Sequence, residues 1–316
     1  MEETPTDLEE VPMSHSPFVV STEVADALAA GRPVVALEST IFTHGLPRPR
    51  NLEVAREAEE SLRASGVTPA TIGVVDGVPT IGMSDAEIER LSLDDTVVKV
   101  SLRDLPIAAA KKLNGGTTVA ATAYLAHLAG VKVFSTGGLG GVHRGAETTF
   151  DESSDLGTLA RVPLVVVSAG VKSILDIPLT LERLETLNVP VVGYRTTDYP
   201  GFYVSDSGYD IEYSVDSPEE IAAIAKNRDE IGLESTLLVA NPVAEDKQLP
   251  PEVHVAVLAE AIEASHTAGI SGNETTPFLL DYIQRATKGA SLDVNVEVYR
   301  GNVALGGLIA AAIQKA

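Results

Sequence analysis

Short runs of β-branched and aliphatic residues recur along this chain, separated by stretches with helical spacing. The runs are Val34–Leu37, Thr71–Val75, Val97–Val100, Val131–Ser135, Val162–Val167, Val189–Gly193 and Leu237–Ala240. Most are apolar at consecutive rather than alternate positions, so the strands they form must be buried on both faces. Helical patterns occupy Asn51–Ser65, Thr118–Leu128, Leu179–Leu187 and Ser217–Arg228, with further helices expected over Pro251–Ala264, Pro277–Ala286 and from Ser291 to the end. The fourth opens on Ser217, Pro218 and Glu220, a capping-box start. This alternation predicts an α/β protein with a largely parallel sheet and helices on each face. No Ser/Gly-rich linker divides the 316 residues, so a single domain is expected over residues 18–316.

Residues 1–17 are expected to form a disordered acidic tail, unlike a signal or basic transit peptide. The 44% hydrophobic content suits a globular protein, and no apolar run is read as a membrane span. Acidic residues outnumber basic ones 45 to 23, and the net charge of −22 repels nucleic-acid backbones and anionic membranes. It still permits a locally positive pocket for a small phosphorylated substrate. The same acidity suits a salt-rich cytoplasm, which makes a halophilic host the matching expectation. With no cysteine, disulfides, thiolate metal sites and cysteine nucleophiles are all excluded.

Lys172 lies just past the apolar run Val162–Val167, where side chains of a parallel sheet converge on a cleft. It is one of only nine lysines and has small or apolar neighbours. A desolvated lysine tends to become a nucleophilic amine that forms imines with carbonyl compounds; the plain alternative is a solvated loop lysine. Glu38 directly follows Val34–Leu37 and is placed either for acid–base work or for capping and ion pairing. The glycine-rich segment Ser135–Gly145 matches neither the dinucleotide fingerprint nor a P-loop. Its amides can converge on an anion, with Thr136, His143 and Arg144 as accompanying polar groups. Glu147, Asp151, Glu152 and Asp155, with Ser153 and Ser154 among them, suit a hydrated hard ion such as Mg²⁺ or Mn²⁺, or else form a solvated acidic loop. Lys99 sits within an apolar run, facing a phosphate or guarding a sheet edge. Asn295 and Asn302, seven apart on the last helix, either bond a polar ligand or pack.

The runs Gly140-Gly141-Val142-His143-Arg144-Gly145-Ala146-Glu147 and Lys172-Ser173-Ile174-Leu175-Asp176 stand together with Ala36–Gly45, Lys99–Pro106 and Gly289–Asn302. In these segments the chain resembles the pseudouridine-5′-phosphate glycosidase family, also called indigoidine synthase A-like, over roughly residues 18 to 314. The resemblance implies a three-layer α/β/α subunit, a cytoplasmic homotrimer and one Mn²⁺ per subunit. It implies reversible cleavage of the C–C glycosidic bond of pseudouridine 5′-phosphate to uracil and ribose 5-phosphate. Lys172 falls on the family's nucleophile, Glu38 on its proton donor and Asp151 on its metal ligand; Lys99, Val119, Ser153, Ser154 and Asp155 fall on substrate-binding positions. Thr136, His143 and Asn295 complete the expected pocket. Departures at Val171, Glu152, Ser154, Gly301 and Val303 remove no reactive group, but those at Ser154 and Val171 bear on which base is accepted. One alternative is therefore a Schiff-base C-glycosidase or lyase acting on a related base or pigment precursor. Another is a non-catalytic sugar-phosphate binder.

Overall fold

The computed structural model describes residues 17–270 and 275–316. The tail expected over residues 1–17 thus lies, apart from Pro17, outside the described residues. Eleven strands are present among them: β1 (Val19–Val20), β2 (Val34–Leu37), β3 (Thr68–Val75), β4 (Val78–Ile81), β5 (Val98–Val100), β6 (Gly115–Thr117), β7 (Val133–Ser135), β8 (Val165–Ser168), β9 (Val191–Tyr194), β10 (Ser214–Val215) and β11 (Leu237–Ala240). The first half of β3 joins an all-parallel central sheet in the order β3-β2-β7-β8-β11-β9-β10. The second half, Ile72–Val75, leaves that sheet to pair antiparallel with β4 and with β6, which pair with β1 and β5.

Alternate residues of the central strands feed different cores. Val34 and Ala36 of β2 join one cluster with Val166 and Leu238, while Val35 and Leu37 join a second with Val165, Val167, Leu237 and Val239. Helices Thr22–Ala29 and Val119–Leu128 supply the first cluster; Arg50–Ala64 and Pro218–Glu230 supply the second. This gives the three layers, and burying each such Val or Leu contributes roughly 1.5–3 kcal/mol.

All seven expected strands form, as do all seven expected helices, with shifted ends except at β2 and β11. Thr118 caps Val119–Leu128 by accepting from Ala121 N at 3.5 Å. Ser217 accepts from Glu220 N, but the Glu220 carboxylate reaches Asp216 N at 2.9 Å, so only half of the expected capping box closes on Ser217. Ala290–Ile313 is not an unbroken apolar run, since Asp293, Glu297 and Arg300 lie within it, but it is 24 residues long. That helix qualifies on length and hydropathy, yet 61% of its apolar window is buried inside the protein. It is the core helix lying over β2, β7 and β8.

Candidate active site

Glu38 leaves the end of β2, where β6 takes over the edge of β3. Ser39 seals that seam: its hydroxyl donates to Ile72 O (2.7 Å) and accepts from Thr117 N (2.8 Å). The main chain must turn there, and Glu38 is left buried with 7% of its surface exposed. Burying a carboxyl requires partners. Both oxygens have one, with Thr40 Oγ1 donating to Oε2 and Thr136 Oγ1 donating to Oε1. Tyr299, buried on the core helix, has its phenol pushed up by burial and then by the charges of Glu38 and Glu59.

The glycine-rich segment after β7 does not wander into solvent. Ala169 N donates to Gly137 O (2.9 Å), Leu139 N to Gly170 O (3.0 Å) and Lys172 N to Leu139 O (3.1 Å), so the parallel pairing of β7 and β8 continues past the core. Two glycines are demanded by close approach. A Cβ at Gly138 would sit 2.6 Å from the Phe202 ring, and one at Gly170 would sit 2.6 Å from Pro200 O, where φ is +76°. The continued ladder places half-buried Lys172 beside the strand whose Thr136 holds Glu38.

Lys99 enters from β5, registered against Gly116 of β6. The residue as a whole is exposed, so its desolvation is partial. Its amine is nevertheless pushed below the usual lysine range, first by burial and then by the Lys172 charge, while Asp155 and Glu38 pull the other way. Lys172, Glu38 and Asp155 therefore all act on Lys99 across one cleft. His44 lies at its margin, with burial and then the Lys99 charge lowering its pKa.

Asp155 is buried, and both carboxylate oxygens accept backbone amides: Ala120 N on Oδ1 (2.9 Å) and Gly140 N on Oδ2 (2.8 Å). It ties the first turn of the Val119–Leu128 helix to the glycine-rich segment, an acidic group suited to a helix N-terminus. Ser153 Oγ accepts from Asp155 N (3.2 Å), and Ser154 Oγ meets Ser101 Oγ at 2.7 Å, two residues beyond Lys99. Val119 opens the helix and is buried. Asn295 Oδ1 lies near Gly137, 3.6 Å from where a Cβ there would stand. Asn302 points wholly inward.

Asp151 lies apart from these groups in the same acidic segment. His143 Nδ1 stands 3.9 Å from Asp151 Oδ2, and His143 N donates to Asp151 O at 3.0 Å. Among the described residues no three His, Asp or Glu side chains form a metal cluster. The donor set thus fits a hydrated hard ion on one carboxylate, not a caged one. Sequence reasoning missed Thr40, Ser101 and Phe202. Only Thr40, two residues after Glu38, carried a readable signal. A groove of about 760 Å³ elsewhere, lined by Ser21, Arg56, Glu59, Arg63 and Asp85, contains none of the candidate residues.

Comparison with known proteins places this architecture. The family described as "Indigoidine synthase A like protein" matches residues 23–312. The pseudouridine-5′-phosphate glycosidase of Saccharopolyspora erythraea is 65% identical over 295 residues, covering 93% of this chain and 97% of that protein. That of Frankia alni is 55% identical over 94% of this chain and 82% of its own length. Among solved structures, a prealnumycin C-glycosynthase in complex with ribulose 5-phosphate superposes with a TM-score of 0.88 at 36% identity, covering 94% of this chain and 97% of that one. An indigoidine synthase A-like protein of Thermotoga maritima superposes with a TM-score of 0.86 at 37% identity, covering 96% of this chain and 100% of its own.

Proposed function

This chain belongs to the indigoidine synthase A-like family, and on that premise we propose that it reversibly cleaves pseudouridine 5′-phosphate into uracil and ribose 5-phosphate. The observation that carries the reading is the ladder between Gly137–Leu139 and Ala169–Lys172, which sets the Lys172 main chain beside the strand that orients Glu38.

A C-glycoside offers no leaving oxygen, so the two-carboxylate route of ordinary glycosidases suits it poorly. Glu38 gives a proton to the ribose ring oxygen as the ring opens, and the Lys172 amine adds at C1′. Glu38, reprotonated by the ammonium formed when Lys172 adds, delivers that proton to uracil C5. The C1′–C5 bond pair then passes into the uracil ring, leaving C1′ double-bonded to Lys172 Nζ. Water hydrolyses this imine, releasing the aldehyde of ribose 5-phosphate and restoring the amine. Lys99, Ser153 and Ser154 line the sugar-phosphate side, with Val119 at its floor and Thr136, His143 and Asn295 toward the base. Asp155 acts by holding two of these walls together.

Mn²⁺ is the proposed ion, bound by Asp151 with waters and His143 adjacent; when bound it supplies positive charge for the phosphate. The protein is proposed to work in the cytoplasm as a homotrimer, which light scattering tests directly. A requirement of activity for high salt tests the halophilic reading. The likeness to a prealnumycin C-glycosynthase in complex with ribulose 5-phosphate supports C-glycoside chemistry on a pentose phosphate.

The test is mass spectrometry of uracil and ribose 5-phosphate incubated with enzyme and Mn²⁺, in high salt, with Lys172→Ala alongside. The expected product has the summed mass less water, resists acid as a C-glycoside should, and is absent with the variant. Ribose 5-phosphate bound without turnover would overturn the reading in favour of a binding protein. Turnover only with another base would favour the related C-glycosidase.

A further inference from the structure

We propose, resting on the glycosidase reading above, that Asn302 is a positioning residue for Glu38, acting through Thr136. Asn302 is wholly buried on the core helix, so it does not reach a substrate. Each of its side-chain polar atoms is nonetheless engaged. Nδ2 donates to Thr136 O (2.7 Å) and Gly137 O (3.1 Å), and Oδ1 accepts from Asn241 Nδ2 (2.9 Å). Two carbonyls at one end fix the amide's orientation, because only its NH₂ end can serve both. The main-chain oxygen of Asn302 also accepts from Ser135 Oγ at 3.0 Å. Gly306, one turn along the same face, permits this approach, since a Cβ there would fall on Ser135 Oγ.

These bonds fasten the successive carbonyls of Thr136 and Gly137 to a rigid helix. Thr136 is thereby held with its hydroxyl on Glu38 Oε1. Thr40 grips the other oxygen from the same short segment as Glu38, and its hydroxyl also reaches Thr117 O at 3.1 Å. Thr136, 98 residues away, is the fixed reference against which the carboxyl is aimed. A buried amide that touches no substrate thus sets the direction of the proton transfer.

The experiment compares Asn302→Asp, which turns an acceptor toward both carbonyls, with Asn241→Ala, which removes only the bond steadying the amide. Rates of C–C bond formation are measured across pH, with borohydride trapping of the Lys172–ribose 5-phosphate adduct in parallel. Misplacement by about an ångström costs on the order of 100-fold, so kcat of Asn302→Asp is expected to fall by roughly 30- to 100-fold. The KM for ribose 5-phosphate should stay within about twofold, because Asn302 holds none of the phosphate side. The pH–rate profile of Asn302→Asp should differ from that of the wild type, Thr136→Val should alter it alike, and the double variant should be no slower than the slower single one. Asn241→Ala should show the same changes on a smaller scale, and it decides the matter where Asn302→Asp does not fold. A folded variant with wild-type kcat and pH profile overturns the proposal, as do losses that multiply with Thr136→Val. Failure of the parent reading is distinct: the wild type would then show neither adduct nor turnover, and this inference falls with it.

Discussion

Replacing Asp155 by Asn changes one atom in a residue that joins three segments. The carboxylate accepts Gly140 N at 2.8 Å and Ala120 N at 2.9 Å, at a position 6% exposed. Asparagine keeps one acceptor and turns an NH₂ group against the other amide. Loss of a hydrogen bond to a charged group, with a buried N–H left unmet, costs about 2–4 kcal/mol. For a domain of this size that corresponds to a fall in Tm of roughly 3–6 °C. A second effect follows from charge. The Asp155 carboxylate raises the Lys99 pKa against burial and Lys172, so its removal lets that pKa fall further. Binding of ribose 5-phosphate, followed by calorimetry across pH, should then weaken at lower pH than in the wild type. Differential scanning fluorimetry reads the stability. A Tm within about 2 °C of wild type, with an unmoved binding profile, would refute the view that Asp155 joins the helix to the glycine-rich segment.

Lys99→Met should abolish turnover yet stabilise the empty protein. The folded Lys99 pKa lies below its ordinary 10.5, so between the two values the unfolded chain holds more protons and wild-type stability rises with pH. Urea unfolding near neutral and at mildly alkaline pH should show that rise flattened in the variant. Glu59 behaves oppositely. Burial raises its pKa above 4.5 despite bonds from Thr71 (2.6 Å) and Arg63 (2.9 Å), so its contribution is greatest below that value and is lost as pH rises through the raised pKa. Glu59→Gln should remove that slope from a Tm–pH series. Asp151→Asn should lower activity at limiting Mn²⁺ by about tenfold or more, partly restored by excess ion; indifference to both EDTA and the substitution would count against Asp151 as the ligand.

The sheet was legible where two-faced burial wrote itself into consecutive apolar residues. β2 and β11 begin and end where the sequence predicts. β6 was not, because Gly115-Gly116-Thr117 has no strand composition. Its glycines answer to neighbours distant in sequence, since a Cβ at Gly115 or Gly116 would fall on Val100 or Thr43. β1 and β10, two residues each, owe their pairing to the sheets they edge. In the site, Lys172 and Glu38 stood out because each follows a strand end. The employment of Asp155 was hidden, as its amide partners lie 15 and 35 residues away. Asn302 offered itself equally as a ligand contact or a packing residue, and only the helix docking on Ser135 decides between them.

The ladder that runs on past β7 and β8 reverses a common division of labour, in which a stiff scaffold carries supple functional loops. Here the segment presenting the amine is itself clamped like sheet. The amides of Leu139 and Lys172 should exchange with deuterium as slowly as strand amides, and substrate entry has little to gain from their motion. Room for a new acceptor base must therefore open across the cleft, in the 195–211 segment whose Phe202 and Tyr199 press on Gly138 and Gly170. In a lineage diversifying its chemistry, that segment is where insertions and substitutions would leave Lys172 undisturbed.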